Sequence, residues 1–562
     1  MQPVSSRRLR PPLNRDPKLE RNQLVALVLC MAVLLVYPWI LKRFAPVTSA
    51  PVPVAAQGSS VIEEKAESVV PEAVIAADVV SLERPSEPRV IHFENDLYDA
   101  ELTSVGGSIM KLAYRGDPGM RERTKTVFLS AEPDQPGLFA VRLANETADL
   151  TRAVFQIEQP TEDSVRFVYE KAGEYRFIKR LFFGRSEPIV NMELTLENLS
   201  SVEKQFPPEI FLGMRSDATK SAAPHEFQAV AWTEKVVAAD GSKIHKKGFS
   251  LSEKIEWAGL LKKYFCILVK PESRAIGLSA SEEQGTIWAK LQLEPVSVPA
   301  GQSRTLQHFV YAGPQRYEAL RRYDVGFDNV LSRGFFGGFK ILLLRALKFS
   351  HQHTHNFGWD ILLITLLIKL LFAPLTHMSY QSMAKMKAVQ PKVQSIQERY
   401  KNDPAKMNRE MMELYKKHRV NPMGGCLPMV LQIPVFIAFY QMLSEAIELK
   451  GAPFIGWIHD LAEPDRLFQF HFSLPVVGDS FNLLPLLMMA SMVIQQRMTP
   501  QPASTPEQQK IFAFMPLMFG FIFYNMPSGL VLYWLLNNVL TILQQGLVKP
   551  VVGALHHEDD KA

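Results

Sequence analysis

Trp359-Asp-Ile-Leu-Leu-Ile-Thr-Leu-Leu-Ile-Lys-Leu-Leu-Phe-Ala-Pro374 decides the fold, because it has the composition of a transmembrane helix and carries one cation, Lys369. A cation at membrane depth costs about 2.5–3.5 kcal/mol on insertion scales. Thr365 lies one helical turn earlier, so both side chains share one face of the helix. This pattern favours a functional cavity around Lys369. The alternative is that Lys369 snorkels to the interface, since Pro374 lies about 7.5 Å further along the axis.

The composition of the 562-residue chain has a mild membrane bias, with 47% hydrophobic and 21% charged residues. The apolar runs are local and lie at 22–41 and beyond 335. A formal net charge of +5 indicates no global polyanion partner, and no sequence-specific nucleic-acid binding is expected. Cys30, Cys266 and Cys426 are expected in different compartments, so no disulfide framework is predicted.

The first apolar run, residues 22–41, has the length of a full membrane span. It predicts a transmembrane anchor, with a cleaved signal peptide as the alternative. Residues 1–21 contain six basic and two acidic residues, which places the N-terminus in the cytoplasm under the positive-inside rule. Residues 42–88 are rich in Pro, Ala, Val, Ser and Glu, a composition typical of a flexible linker.

Residues 89–330 are predicted to form an outer-side domain built mainly of short strands. A period of two is clear at Ser164–Glu170, Ile189–Glu197 and Thr286–Leu293. About 225 residues of such strands imply a large sandwich, followed by a short helical connector from about 314. Turn signals separate the strands at 106–107, 117–119, 240–241 and 299–301.

Two helical features flank the Lys369 segment. Residues 335–350 predict an amphipathic helix in the outer interface, because Lys340, Arg345 and Lys348 make it too charged to span. An ordinary core helix is the alternative there. Residues 376–420 are basic and show apolar residues at 3–4 spacing on two stretches, which predicts a cytoplasmic helical hairpin.

Six membrane spans satisfy the charge distribution of the loops, with both termini in the cytoplasm. The loop 449–480 has two basic and four acidic residues, which fits the outer side. A short acidic tail follows at 549–562. Besides the anchor and the Lys369 span, the predicted spans are the apolar segments at 422–447, 482–497, 511–525 and 528–548.

The sequence contains no phosphate-binding glycine loop, HExxH or GxSxG motif, so neither an enzyme nor a cofactor is expected. His351, His353 and His355 are interpreted as polar flanking residues, with a metal site as the less favoured alternative. Methionines in and near the hairpin suit either an adaptable binding surface or core gap-filling. Polar residues inside the spans indicate interhelical hydrogen bonds or a hydrated pocket open to the cytoplasm.

Dense motifs between about 330 and 548 resemble one family, the YidC/Oxa/Alb membrane protein insertases, in the Gram-negative bacterial form with a large periplasmic domain. The periplasmic region is similar in position, size and strand character only. The motifs are Tyr380-Gln-Ser-Met-Ala-Lys-Met386, Gln390-Pro-Lys392, Asn421-Pro-Met-Gly-Gly-Cys-Leu-Pro428, Gln432-Ile-Pro434, Trp457-Ile-His-Asp-Leu461, Gln508-Gln-Lys510 and Pro527-Ser-Gly-Leu-Val-Leu-Tyr533.

The resemblance implies a multi-pass α-helical inner-membrane protein of six spans, with a five-helix insertase core at 357–548 and a periplasmic β-supersandwich. It implies a cationic groove that is open to cytoplasm and lipid and receives the polar flank of a substrate. Lys369 stands where the family usually has arginine. The positive charge is therefore kept, but the planar guanidinium group, which can form two parallel hydrogen bonds, is lost. The groove positions by this matching are Lys369, Thr365, Gln432, Trp534 and Asn537.

The partners implied by the resemblance are nascent membrane proteins, the Sec translocon (SecYEG with accessory SecDF), the ribosome and the lipid bilayer. Because the tail is short and acidic, the hairpin is the better candidate for contact with the ribosome or the nascent chain. A small-solute transporter is the alternative function, but the inverted repeats and broken helices it predicts are not evident. The basic residues assigned to the hairpin contact are Lys385, Lys387, Lys392, Arg399, Lys401, Lys406 and Arg409.

Overall fold

The computed structural model of the chain describes residues 87–116, 126–132, 134–146, 149–215, 227–418, 427–474, 478–498 and 506–559. The predicted anchor, most of the linker, the turn at 117–119, Cys30 and Cys426 lie outside these residues. Within them, the predicted combination of a β-sandwich domain and a helical C-terminal region is confirmed.

The N-terminal half of the described chain consists mainly of antiparallel strands. The strands are β1 (Val90–Glu94), β2 (Tyr98–Thr103), β3 (Ser108–Tyr114), β4 (Thr126–Ser130), β5 (Val141–Leu143), β6 (Gln156–Thr161), β7 (Ser164–Lys171), β8 (Tyr175–Phe183), β9 (Val190–Asn198), β10 (Lys204–Phe206), β11 (Pro208–Arg215), β12 (Phe227–Trp232), β13 (Val236–Asp240), β14 (Phe249–Leu251), β15 (Trp257–Lys262), β16 (Phe265–Pro271), β17 (Ala275–Glu283), β18 (Thr286–Leu293), β19 (Val296–Val298) and β20 (Ser303–Pro314).

Two large sheets supply most of the hydrophobic core of this domain. Strands β8 and β9 alternate strictly between buried and half-buried residues, as the period of two requires for a sheet with one buried face. A four-stranded sheet follows the order β1-β2-β3-β4, and β10 pairs with β19. The large sheets have the orders β13-β12-β15-β16-β20-β9-β8-β7-β6 and β14-β17-β18-β11-β5.

Of two turns predicted from the sequence, one connects two strands and the other is the start of a helix. Pro299-Ala-Gly301 connects β19 to β20, and Gly301 adopts φ +66°, a left-handed conformation that favours glycine. Asp240-Gly241 is not a tight turn, because Gly241 begins a helix directly after β13. Asp240 occupies the N-cap position of this helix without a side-chain capping hydrogen bond, so the Asp-Gly pair alone does not distinguish a tight turn from the start of a helix.

Nine helices occupy the described residues, with a strand hairpin, β21 (Phe468–Leu474) and β22 (Gly478–Phe481), between the sixth and seventh. Single turns of 3-10 helix lie at Phe327–Val330 and Ile447–Leu449. The helices are α1 (Gly241–Lys247), α2 (Tyr317–Arg322), α3 (Gly337–Thr354), α4 (Phe357–Arg399), α5 (Pro404–Lys417), α6 (Leu427–Glu445), α7 (Leu483–Met498), α8 (Pro506–Phe523) and α9 (Ser528–Asp559).

Helix α4 joins two features that the sequence analysis treated separately. Its 43 residues run unbroken through Pro374 and Pro391, so the Lys369 segment and the first arm of the hairpin are one helix. Helix α5 is the second arm, and Asp403 caps it by accepting from the Lys406 amide at 3.1 Å. The two arms pack through a small apolar cluster of Met386, Val389, Val393 and Tyr415.

One described helical segment, Phe357–Ser379, is long and apolar enough to cross a membrane, with a mean hydropathy of 2.0. Several of its leucines point outward, including Leu367, Leu370 and Leu371. Shorter apolar helices are Leu483–Met498 and Ala513–Phe523. The six-span count stays a prediction.

Helix α3 packs against protein on its basic side. Lys340 is buried and pairs with Glu445 at the end of α6, 2.8 Å away. Lys348 pairs with Glu448 at 2.7 Å and also with Glu318. The three cations are therefore in contact with protein groups, and the place of this helix in the membrane interface stays a prediction. Burial lowers the pKa of Lys340, while Glu445 opposes that shift.

Candidate functional site

Helix α9 places a stripe of polar side chains toward its neighbours. Asn537, Asn538, Thr541, Gln544 and Gln545 recur at intervals of three, four and one, so they lie along one side of the helix. Asn538, Thr541 and Gln545 are buried. Buried polar groups in an apolar bundle need partners, and those of Asn538 and Thr541 come from α7 and α4.

The cation of the site is held by a neutral acceptor. The Lys369 ammonium on α4 donates to the Thr541 hydroxyl on α9 at 2.8 Å. The Thr541 hydroxyl donates in turn to the Asn537 carbonyl at 2.7 Å, which leaves its oxygen lone pairs facing Lys369. Among the described residues, no carboxylate lies within ion-pairing distance of Lys369.

Hydrogen bonds between amides and hydroxyls continue the cluster along α9. The Gln544 side-chain amide donates to Thr376 on α4 at 2.7 Å, and the Asn538 amide donates to Ser491 on α7 at 3.0 Å. Both hydroxyls donate to carbonyls of their own helices, as Thr541 does. Each hydroxyl is thereby oriented as an acceptor.

Helix α6 adds one polar residue to this cluster. The Gln432 amide donates to the Asn537 side-chain oxygen at 2.5 Å. Gln432 and Lys369 also line one narrow cavity between α4 and α6, whose other walls are mostly apolar: Ile368, Phe372, Leu375, Thr376 and Val435. The cavity thus combines one cation and a few neutral hydrogen-bonding groups with apolar walls.

The other two predicted groove residues lie in different surroundings. Thr365 is buried and its hydroxyl donates to the Ile361 carbonyl of its own helix at 2.6 Å. Trp534 is half-buried in an aromatic cluster with Phe436, Phe519 and Phe523, with ring centroids 4.6–5.6 Å away. The structure therefore brings together Lys369, Gln432 and Asn537, with Trp534 one turn before Asn537 on α9.

The hairpin presents its basic residues to solvent. Tyr400 is in contact with Lys406, whose ammonium lies 5.0 Å from the ring centroid, and Arg409 lies 3.6 Å from Glu413. The side chain of Lys387 lies outside the described residues. The exposed members of the predicted set are Lys385, Lys392, Arg399, Lys401, Lys406 and Arg409.

The histidine run contacts a buried carboxylate that sequence reasoning missed. Asp360 on α4 is fully buried, and its carboxylate lies 2.9 Å from the His351 ring nitrogen. It also accepts from Ser350 and Thr354 at 2.5 Å. Among the residues described by the structure, no group of three or more His, Cys, Asp or Glu side chains could hold a metal ion.

Two family models match consecutive parts of the chain. The model described as "60Kd inner membrane protein" matches residues 349–553, and the one described as "YidC periplasmic domain" matches residues 90–345. A relative from Oleidesulfovibrio alaskensis, named "Membrane protein insertase YidC", is 32% identical over 550 residues, covering 93% of this chain and 98% of that protein. The chain belongs to the YidC family of membrane protein insertases.

Further relatives share that name. The protein of Syntrophus aciditrophicus is 31% identical over 561 residues, which cover 94% of this YidC-family chain and 99% of the relative. A crystal structure of an active YidC insertase with the first transmembrane domain resolved is 18% identical, with a TM-score of 0.36, and the match covers 82% of this chain and 92% of that one.

Sequence reasoning missed several members of the polar cluster of this YidC-family chain. Thr541 and Gln544 are among the polar residues inside the predicted spans, but the sequence does not identify them as partners of Lys369 and Thr376. The spacing of the polar residues on α9 was a usable signal, since it marks one face of a helix. Ser491 gave no such signal, because one serine in an apolar helix is common.

Proposed function

We propose that this chain inserts newly made proteins into the bacterial inner membrane, alone or with the Sec translocon, and assists their folding there. The observation that supports this most is the Lys369 ammonium, which is held by the neutral Thr541 hydroxyl beside the cavity between α4 and α6. A cation without a bound carboxylate suits a site that receives acidic or polar groups from another polypeptide.

The proposed mechanism begins with an exchange of partners at this cation. A carboxylate of the substrate replaces Thr541 at Lys369, and the new hydrogen bond is stronger because it joins two opposite charges, whereas the bond lost joins the ammonium to a neutral hydroxyl. Gln432, Asn537 and Gln544 offer further donors and acceptors once their mutual bonds open. Polar groups in the bilayer shorten the apolar distance that the substrate's polar flank must cross.

The apolar part of the substrate supplies the driving force in this proposal. A substrate helix of about 20 apolar residues gains free energy as it leaves the protein for lipid. The outward leucines of α4 and the exposed apolar residues of α8, including Phe514, Met518 and Phe521, offer surfaces along which it can leave. No nucleotide is required.

The topology we propose has six spans, with the β domain in the periplasm and both termini in the cytoplasm. The charge balance of the hairpin and of the loop 449–480 supports it. The exposed basic residues of the hairpin are then available to the ribosome and the nascent chain, whereas SecYEG and SecDF would meet the membrane and periplasmic parts.

Charge substitutions at Lys369 test the proposal. In vesicles containing the purified chain, Lys369→Arg should retain translocation of an acidic substrate tail, because the charge remains. Lys369→Glu should lose at least about tenfold, since a repelled carboxylate costs more than 1.4 kcal/mol. Lys235→Glu, a matched reversal on an exposed loop of the β domain, should have no effect. Equal activity of Lys369→Glu and the unaltered chain would refute the electrostatic role and favour snorkelling.

A further inference from the structure

Two arginines flank one tyrosine ring where helix α2 meets helix α3. The Arg345 guanidinium lies 5.0 Å from the ring centroid of Tyr317 and donates to its hydroxyl at 2.6 Å. The Arg321 guanidinium lies 6.0 Å from the same centroid. Tyr317 is itself buried, so the two cations are arranged around a fixed aromatic group.

These residues line a surface hollow with Glu318 and Arg322, which we call the arginine hollow. Arg322 is neutralised by Glu187 at 2.9 Å, and Glu318 is paired with Lys348. Among the described residues, no carboxylate pairs with Arg321 or Arg345. The hollow therefore has two guanidinium groups whose charge is not compensated by a direct partner.

The face of α3 around Arg345 is apolar and exposed. Leu342 lies three residues before Arg345 and Phe349 four residues after it, so the three share one face. Leu342 is 55% exposed and Phe349 is 66% exposed. Helix α3 ends three residues before α4, the helix whose first part is long enough to span a membrane. An arginine between exposed apolar residues at the start of a span is typical of a helix in the membrane interface.

We propose that the arginine hollow binds the phosphate of an anionic phospholipid, with the acyl chains lying along Leu342 and Phe349. The proposal rests on the proposed membrane topology, which puts α3 at the outer surface of the bilayer. Guanidinium groups bind phosphate through paired hydrogen bonds in a planar fork, and two of them match the oxygens of one phosphate. A zwitterionic headgroup competes less well, since it carries its own cation.

Lipid binding to the full-length chain tests this directly. Native mass spectrometry in mild detergent should show that phosphatidylglycerol is retained in preference to phosphatidylcholine with the same acyl chains. The double variant R321Q/R345Q should retain phosphatidylglycerol at least about tenfold less well, since it loses two charge-assisted contacts. R321K/R345K should retain phosphatidylglycerol better than R321Q/R345Q but less well than the unaltered chain. Lysine keeps the positive charge but lacks the planar guanidinium group that binds two phosphate oxygens at once.

Matched variants separate the site from general charge effects. K246Q/K247Q removes two exposed charges from α1 and should bind phosphatidylglycerol like the unaltered chain. Equal retention by R321Q/R345Q and the unaltered chain, in protein with unchanged thermal unfolding, would overturn the proposal. Equal retention of phosphatidylcholine, or displacement of the lipid by millimolar inorganic phosphate, would overturn it too, the latter in favour of a soluble phosphate site.

The readout also separates this proposal from the proposed function. Lipid retention requires no insertion, so Lys369→Glu should lose insertion and keep the lipid. A chain that inserts substrates normally but shows no preference for phosphatidylglycerol would refute the arginine hollow alone.

Discussion

Lys179 is an unusual residue in the β domain, because it is a fully buried lysine with no acidic partner in the part of the chain that the structure describes. It occupies an inward position of β8, in phase with Tyr175, Phe177 and Leu181. Its ammonium donates to the carbonyls of Phe139 at 2.7 Å and Gly106 at 3.2 Å. Burial lowers its pKa from 10.5 to about 7.

This lysine predicts that the β domain becomes more stable as the pH rises above neutrality. Below pH 7 the folded and unfolded chains both carry the proton, so the folded domain bears the full cost of the buried charge. Between about pH 7 and 10.5 only the unfolded chain keeps it, so stability rises, by a total on the order of 5 kcal/mol.

Thermal unfolding of the full chain between pH 6 and pH 9 checks this expectation, with the β-sheet signal in circular dichroism reporting on the β domain. The quantity to compare is the slope of the free energy of unfolding against pH. Lys179→Met should remove most of the increase in stability between pH 6 and pH 9. Lys247→Met, on the surface of α1, is the control and should leave the slope unchanged. If Lys179→Met shows the same slope as the unaltered chain, the rise has another origin.

At the scale of elements, helix α3 is fixed by buried ion pairs that bridge distant parts of the chain. Lys340 is 4% exposed and pairs with Glu445, which also lies 3.5 Å from Arg333. Breaking a buried pair by removing one partner leaves an uncompensated charge, whereas removing both partners does not. The ion pair therefore locks α3 to the end of α6.

Glu445→Gln should accordingly destabilise the helical region by about 3 kcal/mol, because it leaves Lys340 buried without its counter-charge. The double variant Lys340→Met with Glu445→Gln should regain most of that loss. Glu318→Gln is the exposed comparison and should cost less than about 1 kcal/mol. Thermal unfolding in mild detergent ranks the four proteins, and a double variant less stable than Glu445→Gln would contradict the account.

The sequence predicts individual strands and helices well, but it does not predict the contacts between them. The strand expected at Thr286–Leu293 is β18 with the same bounds, because alternation reports directly on a half-buried strand. Periodicity also marked Lys340 and Arg345 as basic residues of one helix, but it could not identify Glu445 or Tyr317 as their partners. Such contacts join residues far apart in sequence, and only the packing of the helices brings them together.

In the candidate site, too, the sequence identified individual residues but not the contacts between helices. An apolar run with one lysine pointed to Lys369, since a buried cation is costly wherever the helix lies. The resemblance supplied Gln432 and Asn537, which do hydrogen-bond to each other. Neither source predicted that Thr541 would hold the cation, because the register between α4 and α9 depends on how the whole helical region packs.

At the scale of the whole molecule, the β domain and the polar cluster occupy separate parts of the chain. We predict that deleting residues 90–313, which keeps α2 and α3, leaves a protein that still inserts a substrate with a short tail. The hydrogen bonds of Lys369, Gln432 and Thr541 go to residues of the helical region and not to the sandwich.

Deleting the hairpin, residues 385–417, should instead abolish insertion, because it removes the exposed basic surface proposed to meet the incoming chain. Insertion is compared at equal abundance of both proteins in the membrane. Loss of insertion on deleting the sandwich, together with a harmless hairpin deletion, would reverse this division of roles.

Photocrosslinking to a nascent membrane protein tests the central claim most directly. A photoreactive side chain at Gln432, on the wall of the Lys369 cavity, should crosslink to a stalled nascent chain. The same group at Ile494, an exposed apolar position on α7, controls for general proximity in the membrane. The account predicts strong crosslinking from 432, reduced by Lys369→Glu, and weak crosslinking from 494. Equal crosslinking from both positions, unaffected by Lys369→Glu, would contradict it.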